Sequence, residues 1–195
     1  MSTTGIGPEL MAATHRTTAG TSAIARHSVE HFDRSITWAD LDWLLERTRL
    51  PVVLKGILTP EDAELAVAHG AAGIVGSNHG GRQLDHALPT ADALPAIADT
   101  VAGRCTVLVD GEVRSGTDVL KLLALGADAA LVGRPALWGL AAHGYDGVHG
   151  LLSLLHEELT EAMLLSGRPT VKSLDHTLLD HDPAPCRCRA GSPGH

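Results

Sequence analysis

A chain of 195 residues that is 44% apolar and 19% charged has the composition of a globular domain with a substantial core, which excludes disorder throughout. A formal charge of −8 with no Lys/Arg block argues against a nucleic-acid or anionic-membrane binder, so neither partner is expected. No apolar run is long enough to span a bilayer, and the start, Met1 to Gly5, lacks the parts of a secretory signal, so the expected location is cytoplasmic.

Residues 1–22, rich in Thr, Gly and Ala without a hydrophobic period, read as a flexible leader. A short helix is expected from Ile24 to Phe32. Another follows Thr37 as its N-cap, with Trp38, Leu41 and Leu45 on one face. The apolar run Leu50 to Leu54 reads as a strand ending at Lys55-Gly56. Thr59 as cap, Pro60 at the first helical position, acidic Glu61 and Asp62, and Gly70 at the end bound the next helix. Gly73 to Ser77 is the second strand.

The stretch that follows, Asn78-His79-Gly80-Gly81-Arg82-Gln83-Leu84-Asp85, is more than a turn, because a turn needs Gly or Asn but not a base beside a guanidinium. His79 can take a proton near neutral pH. Arg82 can grip a carboxylate through two parallel hydrogen bonds, and the glycines let backbone approach a flat ligand.

A helix is expected over Ala91 to Val101, with Pro95 obscuring its start. Thr106 to Asp110 is the third strand, Thr117 to Leu125 the next helix, closed by Gly126, and Ala129 to Gly133 the fourth strand. A last helix runs over Leu151 to Leu165. Residues 176–195 read as a disordered tail. Its Cys186-Arg187-Cys188 lacks paired Cys-x-x-Cys spacing, so no metal is expected, and Cys105 at the start of a strand reads as a buried thiol.

The chain repeats itself. Val53 and Val109, Asp62 and Asp118, and Gly70-Ala71 and Gly126-Ala127 are each 56 positions apart. Strands alternating with amphipathic helices imply a parallel sheet, either doubly wound or a barrel. Lys55, Ser77 with His79 and Arg82, Asp110 with Arg114, and Gly133-Arg134 all fall at or just past strand ends, which favours the barrel, whose sites lie there. With four strands of the eight a barrel needs, the expected fold is α/β, half of a (βα)8 TIM barrel, with two unpaired edges and an uncovered inner face.

Ser77 to Asp85, together with Leu54-Lys55-Gly56, Asp110-Gly111-Glu112-Val113-Arg114 and Gly133-Arg134-Pro135, resembles in order the second half of the FMN-dependent 2-hydroxy-acid dehydrogenases and oxidases, the glycolate oxidase, lactate oxidase and mandelate dehydrogenase type. The resemblance runs from about Ala23 to about Asp175, giving a half-barrel domain over 23–175. It implies oxidation of a small 2-hydroxy acid to the 2-oxo acid, with FMN as cofactor. His79 is the implied catalytic base and Arg82 the holder of the substrate carboxylate. Lys55 and Ser77 meet the flavin ring, and Asp110, Gly111, Glu112, Val113, Arg114, Gly133 and Arg134 form the rest of the cofactor site. Taken singly, Lys55 is a strand-end lysine, Asp110 a turn residue and Gly-Arg-Pro an ordinary loop; their joint order carries the resemblance.

Two positions depart from the family pattern. Glu112 stands where the family has glycine, and pointed inward it would repel a phosphate; Gly76 stands where the family usually has valine. The family's first four strands, with substrate-facing tyrosines, a second arginine and an aspartate that orients the histidine, have no counterpart here. The expectation is therefore a truncated member, feeble alone, completed by a second copy or by a separate N-terminal half. The alternative is a non-catalytic half-barrel that binds a phosphorylated ligand or a partner chain through Arg114, Arg134 and its open edge. A third reading, another FMN or phosphate barrel, is opposed by His79-Gly80-Gly81-Arg82.

Overall fold

The computed structural model describes residues 33 and 35–179, divided between two compact units, Met1–Leu44 and Leu45–His195. The leader, the Ile24–Phe32 helix and the Cys186/Cys188 pair fall outside the described residues. At the boundary, α1 (Trp38–Leu45) begins after Thr37 and ends on Leu45, the first residue of the second unit. The cap runs in the opposite sense to that expected, since the Asp40 carboxylate accepts from both the Thr37 hydroxyl (2.8 Å) and the Thr37 N–H (2.7 Å). Those bonds hold the Asp40 carboxyl below its ordinary range. Leu41 is buried, with Trp38 and Leu45 half-buried.

The second unit is built on a parallel sheet in the order β1-β2-β3-β4: β1 (Val53–Ile57), β2 (Gly73–Gly76), β3 (Thr106–Val109) and β4 (Ala129–Ala130). Helices α2 (Pro60–Ala68), α3 (Thr90–Val101) and α4 (Gly116–Ala124) link successive strands. Register aligns Leu54, Ile74 and Val107, whose side chains face the helices; Ile74 and Val107 are buried with Leu94, Ile97 and Val101 of α3. Each large aliphatic side chain buried there contributes about 1.5–3 kcal/mol. The opposite face carries Lys55, Val75, Leu108 and Ala129 in one row and Val53 and Thr106 in another, with Val53, Thr106 and Ala129 left exposed.

The 56-position repeat is physical. Thr59 and Ser115 cap α2 and α4 by accepting from the N–H of Asp62 and Asp118. Both helices then end alike. The Ala71 and Ala127 N–H groups reach back to Ala66 and Leu122, those of Gly70 and Gly126 to Val67 and Leu123, and both glycines have positive φ.

Three elements differ from expectation. β1 lies over Val53–Ile57 and takes in Lys55 and Gly56, because Lys55 pairs with Val75 before a bulge at Gly56. β4 is only Ala129–Ala130. The last helix, α5 (Arg134–Leu165), starts 17 positions before Leu151 and is broken at His143 and Gly144, where φ is −142° and 58°. Gly139 and Gly147 bring the two arms backbone to backbone, so that a Cβ on Gly147 would lie 2.0 Å from the Gly139 carbonyl oxygen. Past α5, Asp175 accepts from Arg168 and the Thr177 N–H, and Leu178 packs on Leu120, Leu123 and Leu174. Within the span expected as tail, His176–Leu178 forms a single helical turn.

Candidate active site

Three strand ends converge on Lys55. Its ammonium donates to Ser77 Oγ at 2.5 Å and pairs with Asp110 Oδ2 at 2.6 Å. Ser77 follows β2 and is 1% exposed, and Asp110 follows β3. Two of the three Lys55 N–H bonds are thus committed, which fixes a positive charge and leaves the third for a ligand. The other Asp110 oxygen, Oδ1, is buried without a donor, a costly state that a ligand N–H would relieve.

The turn after β2 is held by its own polar atoms. Ser77 Oγ accepts from the His79 N–H at 3.1 Å, Asn78 Oδ1 from the Gly80 N–H at 3.0 Å, and the Asn78 carbonyl from the Gly81 N–H at 3.0 Å. These bonds support His79 at φ 56°, a conformation few non-glycine residues adopt. Its imidazole stands over Gly56, where a Cβ would come within 2.9 Å of Nε2. Glycine at position 56 makes room for the imidazole, a role that Leu54-Lys55-Gly56 gave no means of seeing in sequence. Arg82 closes the turn, exposed like His79.

A second cluster occupies the loop from Asp110 to Ser115 and the start of α5. Gly111 has φ 126°, and a Cβ there would come within 3.1 Å of Thr90 Oγ1. Val113 is 3% exposed and anchors the loop, while the Arg114 N–H donates to Asp118 at 3.1 Å. Burial pushes the Asp118 carboxyl up, but the Arg114 N–H and the Ser115 hydroxyl and N–H outweigh it, so the group titrates below its ordinary range. Glu112, at φ 53°, lies between two guanidiniums: its Oε1 is 3.2 Å from Arg134 Nη2 and 3.6 Å from Arg114 Nη2.

Both clusters open onto one cleft of about 420 Å³. Lys55, His79, Arg82, Asp110, Gly111, Glu112, Val113, Arg114, Gly133 and Arg134 all line it, and Ser77 meets it through Lys55. Sequence reasoning missed its apolar wall of Leu131, Leu137 and Trp138, which no periodicity marked, and Thr90, 4% exposed with its hydroxyl unpartnered next to Gly111. Among the described residues no group of three or more His, Cys, Asp or Glu could hold a metal, and no helix is long and apolar enough to cross a membrane.

The family model for FMN-dependent dehydrogenases matches residues 3–181. This chain belongs to that family. The match reaches past the motif-based limits of 23 and 175 at both ends. Among relatives, the chain is 56% identical over 159 residues to 4-hydroxymandelate oxidase of Amycolatopsis orientalis, covering 82% of this chain and 44% of that protein. It is 51% identical over 162 residues to 2-hydroxyacid oxidase 1 of Homo sapiens (83% and 44%) and 49% identical over 160 residues to L-lactate oxidase of Nostoc sp. (82% and 44%). A crystal structure of mandelate oxidase with (S)-4-hydroxymandelic acid superposes with a TM-score of 0.80 at 55% identity, over 84% of this chain and 46% of that one. The chain spans less than half the length of these relatives, and its four β/α units are part of the TIM-barrel fold of the FMN-dependent dehydrogenase family.

The residues present fit FMN. An unpartnered buried acceptor on Asp110 and a fixed ammonium suit the polar edge of a flat heterocycle, and the Gly111 loop would be filled by any side chain. Arg114 and Arg134 suit a phosphate. Glu112 alone runs against the fit.

Proposed function

We propose that this chain contributes the FMN and substrate-oxidising half of a site that converts a small 2-hydroxy acid to its 2-oxo acid. The reading is supported above all by the cleft that gathers Lys55, His79, Arg82, Asp110, Arg114 and Arg134 from four successive strand ends. When bound, FMN supplies the two-electron acceptor for the hydride equivalent leaving the substrate carbon. Arg82 holds the substrate carboxylate and so fixes which carbon and hydroxyl face the base. His79 takes the hydroxyl proton, and its backbone N–H bond to Ser77 and its seat over Gly56 restrict where the imidazole can stand. Lys55, tied to Ser77 and Asp110, supplies a fixed positive charge at the cofactor's ring. Arg114 and Arg134, with backbone at Gly111 and Gly133, hold the cofactor's phosphate. The activities of a 4-hydroxymandelate oxidase and an L-lactate oxidase among the relatives support a lactate-like or mandelate-like acid as the substrate. The exposed sheet face at Val53, Thr106 and Ala129 is the surface for a completing partner, a second copy or a separate N-terminal half, in a cytoplasmic setting.

The test is a visible spectrum of the purified chain after FMN addition and gel filtration, then anaerobic addition of lactate, glycolate or mandelate. Retained flavin that bleaches with a hydroxy acid is the expected result, and His79→Ala should keep the flavin but slow bleaching by about a hundredfold or more. Absence of retained flavin would sink self-completion by a second copy and leave a fragment that needs a separate N-terminal half; bleaching indifferent to His79→Ala would sink the proposal.

A further inference from the structure

Glu112 combines two features that oppose the chemistry around it. Its backbone is left-handed at φ 53°, which disfavours any residue but glycine, and its carboxylate occupies the two arginines best placed for an anion. Arg114 precedes α4 and Arg134 begins α5, so the carboxylate bridges two elements across the cleft wall. Among the described residues neither arginine has another acidic partner.

We infer that Glu112 is a built-in competitor for the anion site: an incoming phosphate must take both guanidiniums from it. This rests on the reading of Arg114 and Arg134 as phosphate ligands. Glu112 Oε1 meets one nitrogen, Nη2, of each guanidinium, and a phosphate oxygen placed between the two arginines competes with it for those N–H groups. The Glu112 side chain is 67% exposed and the arginine side chains 59% and 35%, so the internal ion pairs are weakly held and a dianion can displace them. A monoanionic or neutral ligand gains too little from the arginines to do so. The carboxylate therefore selects for a phosphomonoester dianion while lowering its affinity, because after displacement it still stands near the bound charge.

Calorimetric titration of inorganic phosphate into the wild-type chain and Glu112→Gln, at fixed ionic strength, tests this. Removing one negative charge beside a dianion should tighten phosphate about tenfold. Glu112→Gly, which also relieves the left-handed backbone, should tighten it at least as much. Equal or weaker phosphate binding by Glu112→Gln, or no phosphate binding by either chain, would overturn the inference. Parallel titrations with FMN and riboflavin separate it from the flavin reading. FMN should tighten with phosphate while riboflavin, which has no phosphate, stays unchanged. Phosphate tightening on Glu112→Gln without FMN binding to either chain would remove the flavin reading and leave the competitor in place.

Discussion

The β1–α2 and β3–α4 units carry the same boundary signals 56 positions apart, yet they are packed to different tolerances. A Cβ added at Gly70 would meet only the tip of Leu45 at 3.9 Å, whereas at the equivalent Gly126 it would lie 2.6 Å from the Ala98 Cβ. The first helical residue shows the same contrast: Pro60 opens α2, while Gly116 opens α4 against the backbone of α5, where a Cβ would lie 2.1 Å from the Leu159 nitrogen. One local code for stopping and starting helices thus serves two environments. What distinguishes them is the neighbour that the second unit must accommodate: Ala98 of α3 at Gly126, and α5 at Gly116.

The largest expected effect is at that neighbour. Gly116→Ala forces backbone apart and should cost about 3 kcal/mol or more in urea unfolding; a loss under 1 kcal/mol would mean α5 is not seated on α4 as described. Next, Gly126→Ala should lose about 2 kcal/mol and Gly70→Ala about 1, since both pay for positive φ but only the former meets a packed Cβ. Equal losses would erase the contrast. The smallest difference between the two units is at the caps. Ser115→Ala should cost about 1.5 kcal/mol and Thr59→Ala about 1, because Ser115 belongs to a reciprocal capping box with Asp118. The Asp118 carboxyl is depressed in the fold, so its part of the box is complete above its unfolded pKa near 4 and is lost as pH falls through the lower folded value. The difference between the two cap variants should narrow in that acid window.

Much of this was legible in the sequence because caps and helix stops are local. Thr59, Pro60 and Gly70 act only on their own turn, so nothing distant can override them. The strand-end rule likewise located Lys55, His79, Asp110 and Arg134. What stayed hidden depends on contacts between segments. The start of α5 was illegible because it rests on the crossing of the two arms, where Gly139 and Gly147 meet backbone to backbone. β1 was misplaced because a bulge at Gly56 does not look like strand. At position 112 the sign of the charge foretold repulsion of a phosphate; the attraction to Arg114 and Arg134 needed coordinates.

The bond from the Gly116 N–H to Glu158 Oε2, 2.7 Å long, has a consequence for the field in the cleft. The amino end of α4 follows directly on the Asp110–Ser115 loop, and a helix dipole there would ordinarily attract a phosphate. Ser115 takes one of its amides and the Glu158 carboxylate another, so the positive pole is already neutralised within the protein. The start of α5 at Arg134 has no side-chain cap. Of the two helix poles near the anion site, α5 keeps the one that is open, and the partly exposed guanidiniums of Arg114 and Arg134 supply the remainder. Attraction built that way is screened steeply by added salt, as attraction from a buried dipole would not be.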